Sequence, residues 1–172
     1  MTACVPVAAP LPGTADVRLL EGEFDVTFHA TAGPRSGAAA EVARLSLRPQ
    51  ERALAVVDSA ARVEQPFVGL MAIDPARLGA TSMGDPTASD PMSPGVAAYV
   101  TRGGAGEVTS LVVRVGTESN ARGRLVYDSG HFTLYVRGVS ATGFAGGWTS
   151  SSGAGMNPTE ASGHFCAVRA AS

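Results

Sequence analysis

Residues 122–169 read RGRLVYDSGHFTLYVRGVSATGFAGGWTSSSGAGMNPTEASGHFCAVR and hold Tyr127, Phe132, Tyr135, Phe144, Trp148 and Phe165, six of the ten aromatic residues in the chain. Within 130–139 the apolar Phe132, Leu134 and Val136 alternate with His131, Thr133, Tyr135 and Arg137. A period of two sends one set to a packed face and the other set to the opposite face, which is the pattern of a strand. Asp128-Ser129-Gly130 in front of it supplies a glycine where a short hairpin loop needs positive φ, so residues 122–127 are expected to pair antiparallel with it. The whole stretch reads as consecutive β-hairpins.

The same reading extends outward. In 17–30, Gly22, Phe24, Val26 and Phe28 alternate with Glu23, Asp25, Thr27 and His29. Gly33-Pro34 signals a turn, and 41–48 sets Ala43, Leu45 and Leu47 against Arg44, Ser46 and Arg48, with Pro49-Gln50 expected to end that strand. Residues 53–57 and 67–73 are shorter apolar runs that fit strands, although the alanine-rich 53–63 also suits a helical turn. Strands are further expected at 96–101, 108–115, 143–149 and 163–169, about ten in all in hairpin order. Between them, 74–95 reads DPARLGATSMGDPTASDPMSPG, with three Asp-Pro pairs and neither periodicity. It is expected to be a long loop in which a single short helix starts at Asp74-Pro75. Such a loop is either a lid or binding segment or a proline-stiffened surface excursion.

Neither the first strand nor the last carries the proline or lysine that blunts a free edge, and the apolar Phe24, Val26, Phe28, Phe165 and Ala167 would lie along those edges. The two segments are therefore expected to pair with each other. That closes an all-β, antiparallel up-and-down barrel; a β-sandwich is the alternative.

Composition bounds the rest. A chain of 172 residues is one domain by size and can bury a core of its own, here placed at 17–172 behind a flexible Pro/Ala-rich tail at 1–16. The 21 glycines and 11 prolines suit many turns, and 45% hydrophobic residues exclude a disordered chain. All 13 basic residues are arginine, they form no run, and the net charge is −2. Without a basic patch a nucleic-acid partner is not expected. No apolar run approaches the roughly 20 residues of a membrane-spanning helix.

Leu20-Glu21-Gly22-Glu23-Phe24 resembles the Gly-x-Trp opening of the lipocalins and fatty-acid-binding proteins, the calycin-like barrels, with Phe24 at the tryptophan position. The resemblance implies a barrel with an interior ligand cavity. Fatty-acid-binding proteins also hold a ligand carboxylate with an arginine and a tyrosine two residues apart on one strand, in the order Arg-x-Tyr, where this chain has Tyr135-x-Arg137. Thr2-Ala3-Cys4, followed by Val5-Pro6-Val7-Ala8-Ala9-Pro10, resembles the end of a bacterial lipobox and its tether, which implies a lipid anchor on Cys4. Such an anchor would be the chain's only link to a membrane.

Chemistry-bearing motifs are sparse. There is no Gly-x-Ser-x-Gly elbow, His-Glu-x-x-His, Cys-x-x-Cys, P-loop or Gly-x-Gly-x-x-Gly, so the reading leans away from an enzyme and expects no cofactor. His29, His131 and His164 lack ligand spacing, and Asp74, Asp85 and Asp90 lack the density of a calcium loop, so no metal is expected. Tyr135 and Arg137 share one face of a strand with His131 and Thr133. Pointing inward, guanidinium and phenol would clamp a carboxylate. With Phe132, Leu134 and Val136 in the core instead, the polar set is solvated, and the cost of burying an unpartnered arginine weighs for that side. Cys4 and Cys166 lie near the chain ends, which adjoin in a closed barrel, so a disulfide competes with lipidation for Cys4 and with simple burial for Cys166. Lipidation or a disulfide would each place the protein outside the cytosol, exported to periplasm, membrane surface or medium; a cytoplasmic location is the alternative.

Two functions follow. One is a non-catalytic binding module that holds a small apolar or amphipathic ligand near Phe24, Phe144, Trp148, Tyr135 and Arg137, beneath the 74–95 loop. The other is an exported structural or protein-interaction domain with a filled core. A cavity above roughly 300 Å³ would favour the first.

Overall fold

A computed structural model describes residues 4–57, 62–73, 75–78, 95–115, 118–119, 126–127, 132–151 and 159–171. The chain forms strands β1 (Gly22–Ala32), β2 (Glu41–Val57), β3 (Arg62–Ala72), β4 (Gly95–Arg102), β5 (Val108–Val115), β6 (Glu118–Ser119), β7 (Val126–Tyr127), β8 (Phe132–Ser140), β9 (Gly143–Ser151) and β10 (Thr159–Arg169), with 3₁₀ turns η1 (Val17–Leu20) and η2 (Pro75–Leu78). Eight strands close an antiparallel barrel in the order β1-β10-β9-β8-β5-β4-β3-β2. The barrel is thus of eight strands rather than about ten. Among the described residues β6 and β7 pair with each other, as a two-stranded ladder that lies between β5 and β8 in the chain.

The seam closes where edge chemistry placed it. β1 pairs with β10 from Phe24 opposite Arg169 to Phe28 opposite Phe165, and on its other side with β2 from Gly22 opposite Leu47 to Phe28 opposite Glu41. With both neighbours present neither terminal strand is an edge, and a sandwich is not formed.

Four local expectations are corrected. Residues 17–20 turn as η1 before β1 begins at Gly22. Pro49 does not end a strand: β2 runs on to Val57, and the ladder to β3 absorbs the proline in an irregularity between Pro49 and Leu54, where a missing N–H does least harm. The helical alternative for 53–63 is not adopted along β2. Of the stretch 122–127 expected to pair with β8, Val126 and Tyr127 pair instead with Glu118 and Ser119, residues 122–125 lie outside the described residues, and β8 pairs with β5, Val112 opposite Tyr135 through Val115 opposite Phe132. β5 offers the buried row Leu111, Val113 and Val115 to the buried Phe132 and Leu134, and a strand edge takes one partner only.

Alternation decides what lies inside. Phe24, Val26 and Phe28 of β1, Phe132, Leu134 and Val136 of β8, Phe144 and Trp148 of β9, and Phe165 and Ala167 of β10 are all buried. Over the inner face of β1, β10, β9 and β8 their rings meet edge to face, Phe24 with Phe144 at 5.0 Å, Phe28 with Phe132 at 5.8 Å, Phe28 with Trp148 at 6.0 Å and Phe144 with Phe165 at 5.8 Å. Such pairs add a little beyond the area they bury.

The two barrel ends differ. The chain enters β1 through η1, whose Leu20 is wholly buried in the core. Arg169, the last residue of β10, donates to Leu19 O at 2.9 Å, Glu21 O at 2.8 Å and Ala141 O at 3.2 Å, and its guanidinium lies 4.9 Å from the Phe24 ring centre. One side chain thus ties η1 to the β8–β9 turn. At the other end, beyond Ala72, η2 carries Leu78 into the same core. There the Glu41 carboxylate accepts from Arg35 at 2.8 Å and from Arg77 at 3.4 Å, joining the β1–β2 connection to η2. The expected helix at Asp74-Pro75 is this single turn; Asp74 and most of the 74–95 loop lie outside the described residues.

Candidate functional site

The five residues expected to hold a ligand divide by face. Phe24, Phe144 and Trp148 point inward, but they pack on one another and on Phe28 and Phe165. Tyr135 and Arg137 point outward, Tyr135 with 41% of its surface exposed, because Phe132, Leu134 and Val136 take the inner positions of β8. An inward guanidinium and phenol are therefore not formed: with a period of two, one strand cannot bury both sets. His131, Asp85 and Asp90 lie outside the described residues.

The tail residues 4–16 run along the outside of the barrel. Cys4 is disulfide-bonded to Cys166 on the outer face of β10, with Cα atoms 5.6 Å apart, and no free cysteine remains. Of the two fates expected for Cys4, a lipid anchor or a cross-link, the structure forms the cross-link. Further on, Gly13 O accepts from Val108 N at 2.9 Å. The described part of the tail is thus joined to the barrel at Cys4 and at Gly13. Between tail and sheet lies an open groove of about 350 Å³, lined by Cys4, Gly138, Ala145, Cys166 and Val168 among others. Room for it comes from Gly138 of β8 and Gly143 and Ala145 of β9, which carry almost no side chain.

Beside the disulfide, the barrel seam brings two histidines together. His29 of β1 is the direct cross-strand partner of His164 of β10, and their rings stack 4.7 Å apart, 10° from parallel. A ring nitrogen of each and the Cys4 Sγ lie within 4.8 Å of one another. The strand under the pair is clamped from within: Trp148 Nε1 donates to His29 O at 3.3 Å. Gly163 makes the approach possible, since a Cβ there would fall on the His29 carbonyl and within 2.8 Å of Trp148 Nε1. His164 Nδ1 is buried with no hydrogen-bond partner among the described residues. Burial, and then the neighbouring His29, hold the His164 pKa below the usual imidazole value; the Cys4 backbone near the ring acts weakly in the opposite direction.

This cluster was invisible to spacing rules, since its members are far apart in the chain. A signal was nonetheless present. Both histidines adjoin a core phenylalanine, Phe28 or Phe165, and both lie on the outward phase of strands expected to pair. Chemically the cluster offers two imidazoles on an accessible face, with a disulfide as neighbour. No protein-family model, curated protein or solved structure matches this chain.

Proposed function

We propose that this protein is an exported, non-catalytic β-barrel domain that works through its outer surface, its interior serving as a structural core. The observation that carries this is the packing of Phe24, Phe28, Phe132, Phe144, Trp148 and Phe165 on one another over the inner face of β1, β10, β9 and β8, with Leu20 and Leu78 entering the same core from opposite ends. Aromatic rings packed on one another inside the barrel weigh for a structural core over the ligand cavity of a calycin-like carrier. The Cys4–Cys166 cross-link supports the exported location, because such bonds persist in oxidising compartments. The outer groove and the paired histidines are where the chain departs from a plain barrel surface.

The second reading is a distant calycin-like carrier, and eight-strand closure with an aromatic two residues after Gly22 favours it. Trp148 distinguishes the two. It is the sole tryptophan and sits in the core, so a ligand entering the axis would change its emission. Titration with a fluorescent fatty acid such as cis-parinaric acid is expected to give no saturable binding and no change at Trp148. Saturable one-to-one binding with quenching of Trp148 would establish the carrier and end the surface reading.

A further inference from the structure

We propose that His29 and His164 form a chelating site for a borderline first-row divalent cation, zinc or copper(II), which clasps the seam where the first and last barrel strands meet. Directly opposed residues on antiparallel strands have Cβ atoms about 4.5–5.5 Å apart, a span two imidazoles can bridge onto one ion when each turns a nitrogen toward it. The pair already stacks at 4.7 Å, with ring nitrogens inside the 4.8 Å cluster. Closing onto zinc at its usual bond length of about 2.0–2.1 Å asks the two stacked rings to rotate so that a nitrogen of each faces the ion.

Three surroundings favour an ion. Along the two strands the pair is flanked by Thr27 and Cys166 on one side and by Thr31 and Ser162 on the other, none of them cationic. On the far side of His164 its β9 partner is Gly147, which presents no side chain and leaves a sector for water or an outside ligand. The unpartnered, buried Nδ1 of His164 is a lone pair or N–H that the described residues do not satisfy. Imidazole is a ligand that copper(II) and zinc accept and that magnesium and calcium avoid. With the disulfide formed, Cys4 contributes no thiolate, so the protein supplies two ligands and the remaining positions stay open, as in sites that bind an outside group.

The site also has a structural consequence. His29 and His164 come together only in the closed barrel, so an ion held by both binds the native chain and not the unfolded one, and raises stability by mass action.

The test is thermal unfolding of the full chain, its disulfide verified intact, with zinc chloride or copper(II) sulfate against magnesium chloride. Zinc at a hundredfold excess over its dissociation constant is expected to raise the midpoint by about 5–10 °C. Copper(II) should act at lower concentration, following the usual affinity order. Magnesium should do nothing, and chelator should reverse the shift. H29A and H164A should each remove most of the shift while unfolding near the wild-type midpoint without metal, since both side chains are on the outer face. Equal response to zinc and magnesium, a shift that survives H29A/H164A, or binding that appears only after Cys4–Cys166 is reduced would each overturn the imidazole site.

Discussion

Cys4 and Cys166 are joined across 162 positions of sequence, so the chain's one disulfide fastens the start of the tail to the strand that closes the barrel. A cross-link over so long a loop removes much of the freedom of the unfolded chain. The double variant C4S/C166S is expected to lose about 2–4 kcal/mol of unfolding free energy. Denaturant titration would check this, and each single variant should match the double. A double variant as stable as wild type would mean that the tail holds without its bond.

Trp148 is buried to 1% exposure between Phe28 and the seam and donates to the His29 carbonyl. Trp148→Ala is expected to cost about 3–5 kcal/mol, from the lost burial and the cavity left behind. A cost under about 1 kcal/mol would show that the axis is loosely filled.

Gly163 lies beneath both the His29 carbonyl and the Trp148 indole. Gly163→Ala must push the backbone of β1 away from β10 or displace Trp148, and is expected to cost about 1–3 kcal/mol. The readout is the equilibrium midpoint together with amide exchange along residues 26–30, which should quicken. An unchanged midpoint and unchanged protection would refute the close approach.

Arg169 serves three backbone carbonyls and one aromatic face at the η1 end. Arg169→Ala is expected to lower stability by about 1–3 kcal/mol and to free residues 17–20. Arg169→Lys should rescue little of this, because a single ammonium cannot hold the planar fork. Full rescue by lysine would reduce the role of Arg169 to charge alone.

Tyr135 and Arg137 supply the opposite expectation. Both face outward on β8, and Tyr135→Ala and Arg137→Ala should each shift stability by no more than about 0.5 kcal/mol. A loss of several kcal/mol from either would be inconsistent with their outward position.

Much of the fold was legible in the residues because strand phase is a local property. Phe24, Val26, Phe28, Phe132, Leu134, Trp148 and Phe165 are inside as their alternation required, and the unprotected terminal strands meet as edge chemistry required. Those inferences need only neighbours two apart in sequence and the cost of an exposed apolar edge. Tyr135 and Arg137 were ambiguous for the same reason, since alternation separates two faces without saying which faces in.

What the tertiary structure alone decided involves partners distant in sequence. β8 pairs with β5, Val126 and Tyr127 pair with β6, Cys4 finds Cys166, and His29 stands opposite His164, because each depends on which strands become neighbours and in which register. A shift of one residue along the β1–β10 seam would keep nearly the same composition in each strand and yet part the two imidazoles. The chain by itself therefore specified which side chains build the barrel, through a local period of two. Which outward side chains share a site was settled only by closure, which fixes a register between segments more than a hundred residues apart.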